Sequence, residues 1–132
     1  MRLVIRDGVT TGGGCLSFDL QDVLAALGVR ASTSGWYARH LNYISNDDRD
    51  VAVMQAMASG TVVNGRDVMA GIEQLSQVIG GEFVATDPGC ELPWVIVRAV
   101  DSSWWEVVSD DAEVLEVIRK RFRDVEEHEH NV

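Results

Sequence analysis

Two cysteines and two prolines are all that the chain has of either residue in 132 positions. Two cysteines allow one disulfide, whereas a small secreted scaffold usually relies on several. Cys15 and Cys90 are therefore read as reduced thiols. With so little proline beside 12 glycines, collagen-like and proline-rich disordered classes are excluded. No stretch approaches the roughly 18 consecutive apolar residues of a membrane span. The opening MRLVIRDG carries Asp7 and no long apolar run, so no secretory signal is expected. Lysine is almost missing, since Lys120 is the only one. The expectation is a cytoplasmic protein of bacterial type with no membrane contact.

What the chain has in excess is negative charge. It carries 21 acids against 11 bases, a net −10. Residues 1–35 sum to zero, 36–99 to −4 and 100–132 to −6. Nucleic-acid binding needs a basic face that displaces counterions from phosphate, so it is not expected. A protein partner with a basic surface suits the charge, because complementary fields speed encounter.

A chain of this length fits one domain, expected over 1–125 with a solvated acidic tail at 126–132. The β-prone run 2–6 ends at Asp7-Gly8, a turn signal. After the glycine-rich 10–15, Ser17 can cap a helix whose Leu20, Val23, Leu24 and Leu27 recur at helical spacing, with Gly28 as its stop. Residues 36–44 read as a strand placing Tyr37, Leu41 and Tyr43 on one face. Residues 45–48 signal a helix over about 47–58 that buries Val51, Met54 and Ala58. Asn64 caps another helix, with a stripe of Val68, Ile72, Leu75 and Ile79 and a stop at Gly80-Gly81.

The last third reads as three strands. Residues 82–86 form the first, closed by Asp87-Pro88-Gly89; 94–100, apolar on both faces, suits a central strand. Residues 101–103 turn the chain into a returning strand at 104–108. Asp110 and Glu113 make a capping box for a last helix, striped by Val114, Ile118, Phe122 and Val125. The fold class is α+β: an antiparallel sheet with a C-terminal three-strand meander over about 82–108 and helices packed mainly on one face.

No motif fixes a chemistry. The strand, glycine-rich loop and helix start at 10–17 resemble the layout of an anion-binding loop, with Gly12, Gly13, Gly14, Cys15 and Ser17 as its groups. The loop lacks the spacing of phosphate-binding signatures and has no base between positions 7 and 29. Cys15 with His40 would be a nucleophile–base pair, but a free cysteine is more often a small core residue. His128, Glu129 and His130 lack the ordered ligand set of a metal site, so no metal or cofactor is expected. The basic run Arg119-Lys120-Arg121-Phe122-Arg123 fits the last turns of a helix, where cations complement the dipole and Glu116 reaches Lys120. Arg98 is isolated in an apolar strand and calls for a salt bridge to Asp101 or Glu106.

Trp104 and Trp105 must point to opposite faces of their strand, so one is core and the other is either exposed or under a helix. With Trp36 and Trp94 they make four tryptophans. The expected site is an acidic, tryptophan-anchored protein interface of Trp104, Trp105, Asp101, Glu106, Asp110 and Asp111. The expected function is binding, as an immunity-type or other inhibitor of a basic partner. Two alternatives stand beside it: a subunit of a homo- or hetero-oligomer joined through a sheet edge at the first strand or the 36–44 strand, and a small-molecule domain using loop 10–17.

Overall fold

The computed structural model describes residues 1–7, 18–45, 52–101 and 103–128. Along the chain run β1 (Arg2–Ile5), α1 (Leu20–Leu27), α2 (Val29–Thr33), β2 (Gly35–Ser45), α3 (Ala52–Ala58), β3 (Val63–Asn64), α4 (Gly65–Gly71), a 3-10 turn (Ile72–Gln74), β4 (Leu75–Thr86), β5 (Val95–Val100), β6 (Trp104–Val108), α5 (Ala112–Arg121) and β7 (Val125–His128). The strands form one antiparallel sheet in the order β3-β2-β4-β5-β6-β1-β7. β4, β5 and β6 are the meander, and the doubly apolar β5 is the middle strand of the seven.

Alternation along the strands divides the sheet into two faces. Leu3 and Ile5, Trp36 and Ala38, Phe83 and Ala85, Val95, Val97 and Ala99, and Trp105 and Val107 enter one hydrophobic core. The helices close that core with Leu20, Val23 and Leu24 of α1, Met54 and Met57 of α3, Val68 of α4, and Val114, Leu115 and Ile118 of α5. Phe18 packs against Phe122 and Trp105, with ring centroids 4.8 and 6.4 Å away. Val4, Val84 and Val108 are also buried but lie outside this core, on the opposite face. No described helix contributes to that second face.

Several boundaries differ from the sequence reading, each for a local reason. The stripe from Val68 to Ile79 does not stay helical. The helix ends at Gly71, and Leu75 begins a twelve-residue strand that carries Gly80 and Gly81 in its interior. Pairing with β2 over this length outweighs the helical spacing. The β2–β4 ladder is irregular between Arg39 and Tyr43, where His40 takes a positive φ of 53°. This bulge switches the alternation. Trp36 and Ala38 face the core before it and Leu41 and Tyr43 pack on the core after it, so Tyr37 lies on the other face, apart from Leu41 and Tyr43. Gly81 sits beside the bulge with φ 140°, and a Cβ there would come within 3.1 Å of the Leu41 Cα, which suits glycine alone.

The caps shift by one or two residues. Asp19 caps α1 and shares a reciprocal capping box with Asp22. Asp111, one residue after Asp110, caps α5 through the Glu113 amide. Asn64 caps α4 as its sequence indicates. In α3 the buried pair is Met54 and Met57, while Ala58 is exposed. The segment expected to be a free tail is structured in part, because residues 126–128 belong to β7 and pair with β1. Their exposed, charged side chains suit a sheet edge. Loop 10–17, Val51, residues 46–48 and residues 129–132 lie outside the described residues.

Candidate functional site

Three segments distant in sequence meet where β4 leaves the sheet and β5 enters it. Arg30 of α2 holds Asp87 with two hydrogen bonds, Nε to Oδ1 at 3.1 Å and Nη2 to Oδ2 at 2.7 Å. Its Nη1 donates to Asp111 Oδ2 at 2.9 Å, and the guanidinium lies over the Trp94 ring at 4.2 Å. The Trp94 indole N–H donates to Ser34 Oγ at 2.8 Å, and Ser34 donates to the Arg30 carbonyl at 2.6 Å. On the other side, Ser109 Oγ donates to the Trp94 carbonyl at 2.6 Å and accepts from the Asp111 amide at 3.1 Å. The contacts close a ring through Arg30, Ser34, Trp94, Ser109 and Asp111. The Arg30 hydrogen bond holds the Asp87 carboxyl below its ordinary value, against a smaller opposing effect of burial. The same bond raises the Arg30 guanidinium, so both stay charged at neutral pH.

Ser34 and its bond to Trp94 are buried, so Ser34→Ala leaves an indole N–H without its acceptor. That substitution is expected to lower stability by about 2 kcal/mol, read as a shift of the denaturation midpoint at unchanged slope. A midpoint equal to wild type would mean that the ring is decorative.

Against this rigid platform lies a cleft of about 430 Å³, lined by Pro93, Trp94, Val95, Ile96, Val108, Ser109, Asp110 and Asp111. Ile96 and Val108 are opposite one another on β5 and β6 and form its apolar floor. Asp111 is committed to Arg30 and to the α5 cap. Asp110 is fully exposed on the rim, with only the chain's terminal amine 3.9 Å away. Beside the cleft, Leu92 is 83% exposed.

The residues expected to form one interface are thereby separated. Trp105 is core. Asp101 turns the β5–β6 hairpin with φ 48°, about 20 Å along the strands from Asp110. Trp104 is half-buried on the sheet face opposite the core, under the Arg6 guanidinium at 5.6 Å, and donates its indole N–H to Glu106 at 3.0 Å. Glu106 is buried and accepts from Arg98 at 2.8 Å, with Arg2 at 3.8 Å. Burial pushes the Glu106 carboxyl up; the Trp104 and Arg98 hydrogen bonds and the Arg2 and Arg98 charges outweigh that and leave it below its ordinary value. Of the expected acids only Asp110 and Asp111 meet at one place, and the glycine-loop group lies outside the described residues.

Arg98 also reaches back to Glu82 at 3.2 Å, and Glu82 is held by Arg39 at 3.0 Å. Arg39, Glu82, Arg98 and Glu106 occupy one register row across β2, β4, β5 and β6. The sequence reading anticipated the Glu106 bridge; it missed Glu82 and Arg39, which become neighbours only through strand order.

The basic run of α5 is neutralised. Arg119 pairs with Glu116 and Glu127, Lys120 with Glu116, and Arg121 with Asp22. Cys90 is an exposed free thiol. Among the described residues no cluster of three or more His, Cys, Asp or Glu side chains is placed to hold a metal ion, and no helix is long and apolar enough to cross a membrane. Comparison with known proteins finds no matching family, no matching curated protein and no matching solved structure.

Proposed function

We propose that the chain is a small acidic protein-binding domain that inhibits or sequesters a partner with a basic surface. The observation that carries this reading is the cleft: an apolar floor of Ile96 and Val108, with the fully exposed carboxylate of Asp110 at its rim, whose one ion-pair partner among the described residues is the Met1 amine at 3.9 Å. This geometry suits an arginine or lysine, whose aliphatic stem lies on the floor while its head meets the acid. The platform beneath is held by charged hydrogen bonds, so little ordering is needed on binding. The remaining charges favour the same partner. Eight of the ten described bases are already paired with acids, so the net −10 has no free basic patch to offset it at the cleft.

The test is a pull-down with immobilised protein from the lysate of its own source, repeated with Asp110→Lys and with Asp101→Lys at the far end of the hairpin. The expected result is a basic protein retained at low salt, released by added salt, and bound about tenfold more weakly by Asp110→Lys. Asp101→Lys should bind within about twofold of wild type. Equal retention by Asp110→Lys, or release that ignores salt, would sink the reading.

A further inference from the structure

A second cleft, of about 480 Å³, opens between the end of α1, the start of α2 and α4. It shares no lining residue with the cleft at Asp110. Its volume lies in the range of about 300–1,000 Å³ in which proteins hold small molecules. Leu24, Ala25, Val29 and Met69 give it apolar walls, and Val29 is 78% exposed. At Gly28, between α1 and α2, a Cβ would meet no atom within 4 Å, so the backbone leaves the cleft open at that point.

Two polar side chains line this cleft, Ser32 and Arg66. The Ser32 hydroxyl donates to the Val29 carbonyl at 2.7 Å, so its proton is committed within α2. Arg66 is exposed and has no acidic partner among the described residues, whereas eight of the ten described bases have one. Its neighbour Asp67 is turned to Asn64, whose side-chain amide donates to it at 3.0 Å. The helix does not call for a cation here either. Arg66 lies in the first turn of α4, where the helix dipole favours an acid. Gly65 has no side chain to hold α4 off the end of α2, and this close approach sets Arg66 beside the α2 wall of the cleft.

We infer that this cleft binds an amphipathic monocarboxylate, an anion with one carboxylate on a short alkyl body. The alkyl body lies on Leu24, Ala25, Val29 and Met69, and the carboxylate accepts two parallel N–H bonds from the Arg66 guanidinium. The chemistry of the lining selects this ligand. One guanidinium, with no second base among the lining residues, matches a single negative charge. The apolar walls disfavour a sugar or other polyol, whose hydroxyls would lose water and find few partners. A neutral or cationic alkyl chain would leave the guanidinium unanswered. The inference stands apart from the reading of the Asp110 cleft, and either can fail without the other.

Titration of isotope-labelled protein with sodium octanoate, followed by amide NMR, tests it. Octanol and octyltrimethylammonium serve as the neutral and cationic analogues. Octanoate should shift the amides of 24–32 and 66–69 and bind at least ~5-fold more tightly than either analogue. Arg66→Glu should bind at least ~10-fold more weakly yet melt at or above wild type, because an acid suits the first turn of α4. Val29→Glu, at an exposed site, should weaken binding to a similar degree by placing an acid in the cleft. Arg123→Glu makes the same change of charge outside the cleft and should bind within about twofold of wild type. A spectrum unmoved by millimolar octanoate overturns the inference. Octanol binding as tightly as octanoate, or Arg66→Glu binding like wild type, also overturns it, because the cation then plays no part. Shifts at Arg66 on concentrating the protein alone would assign the cleft to a second copy and overturn it as well.

Discussion

Gly65→Ala is expected to cost about 3 kcal/mol, the largest loss from adding a single methyl group. Gly65 opens α4 and is buried directly on the end of α2. A Cβ at this position overlaps the Ala31 carbonyl oxygen and comes within 2.7 Å of both the Ala31 carbonyl carbon and the Ser32 Cα. These are backbone atoms and cannot rotate away, so one helix must shift. The Gly65 N–H also donates to the Ser34 carbonyl at 2.9 Å, which fixes its position from the other side. The displacement would pass to Ser34 and the Trp94 ring, so the variant should show altered tryptophan emission beside a lower melting temperature. Gly60→Ala is the control for backbone strain: φ is 91° there, and no atom lies within 4 Å of the added Cβ. If both glycines respond by the same small amount, steric exclusion by α2 is refuted.

Glu106→Ala is expected to cost about 2 kcal/mol at neutral pH. Breaking a buried ion pair costs ~3–5 kcal/mol, and the half-exposed state of Arg98 and Arg2 reduces that figure. The loss leaves the Trp104 indole N–H without its acceptor and Arg98 with Glu82 alone. The dependence on pH has a definite sign. The native carboxyl lies below its ordinary 4.5, so its contribution is complete above that value and drains away as pH falls through the lowered native value. Wild type should therefore lose more stability than Glu106→Ala on acidification below about pH 4.5, and the two curves should converge. Asp19 acts in the opposite direction. Burial first, and Asp22 after it, raise its carboxyl despite the Leu20 and Val78 amides, so its effect favours the native state as pH falls. A gap between the two proteins that persists unchanged at low pH would show that Glu106 acts by packing alone.

The elements most legible in the sequence are those closed by local chemistry. The β5–β6 hairpin is bounded by an apolar run and a turn in which the Ser103 amide donates to the Val100 carbonyl at 2.8 Å. Asn64 declares α4, because its side chain accepts from Asp67 three residues on. The Val68–Ile79 stripe is misleading for the opposite reason. Spacing of three and four is compatible with a helix, and only the distant β2 turns residues 75–86 into a strand. The His40 bulge is equally invisible, since a one-residue insertion matters only once the register is known.

The candidate site follows the same division. Arg98 stands out because a charge in an apolar strand needs a counter-charge, and one of its acids could be named from the hairpin. Arg30 carries no such signal. Its acids lie 57 and 81 residues away, and its ring partner Trp94 lies on a third segment. The sequence points to Asp110 as the cap of the last helix, but the cap is Asp111, and Asp110 stands fully exposed among the residues lining the cleft.

The position of β1 has a consequence for how the protein comes into being. The first strand lies between β6 and β7, with Arg2 opposite both Val108 and His128. Strands β2 to β5 can pair as they emerge from the ribosome, but β1 has no neighbours until the last quarter of the chain exists. Closing a loop of about 100 residues costs roughly 2 kcal/mol more than closing one of ten, and contacts of such separation form slowly. Throughout synthesis the apolar Leu3, Val4 and Ile5 remain exposed beside an unfinished sheet edge at β6. Until β6 and β7 exist to flank it, this apolar strand is the segment most open to misplaced pairing.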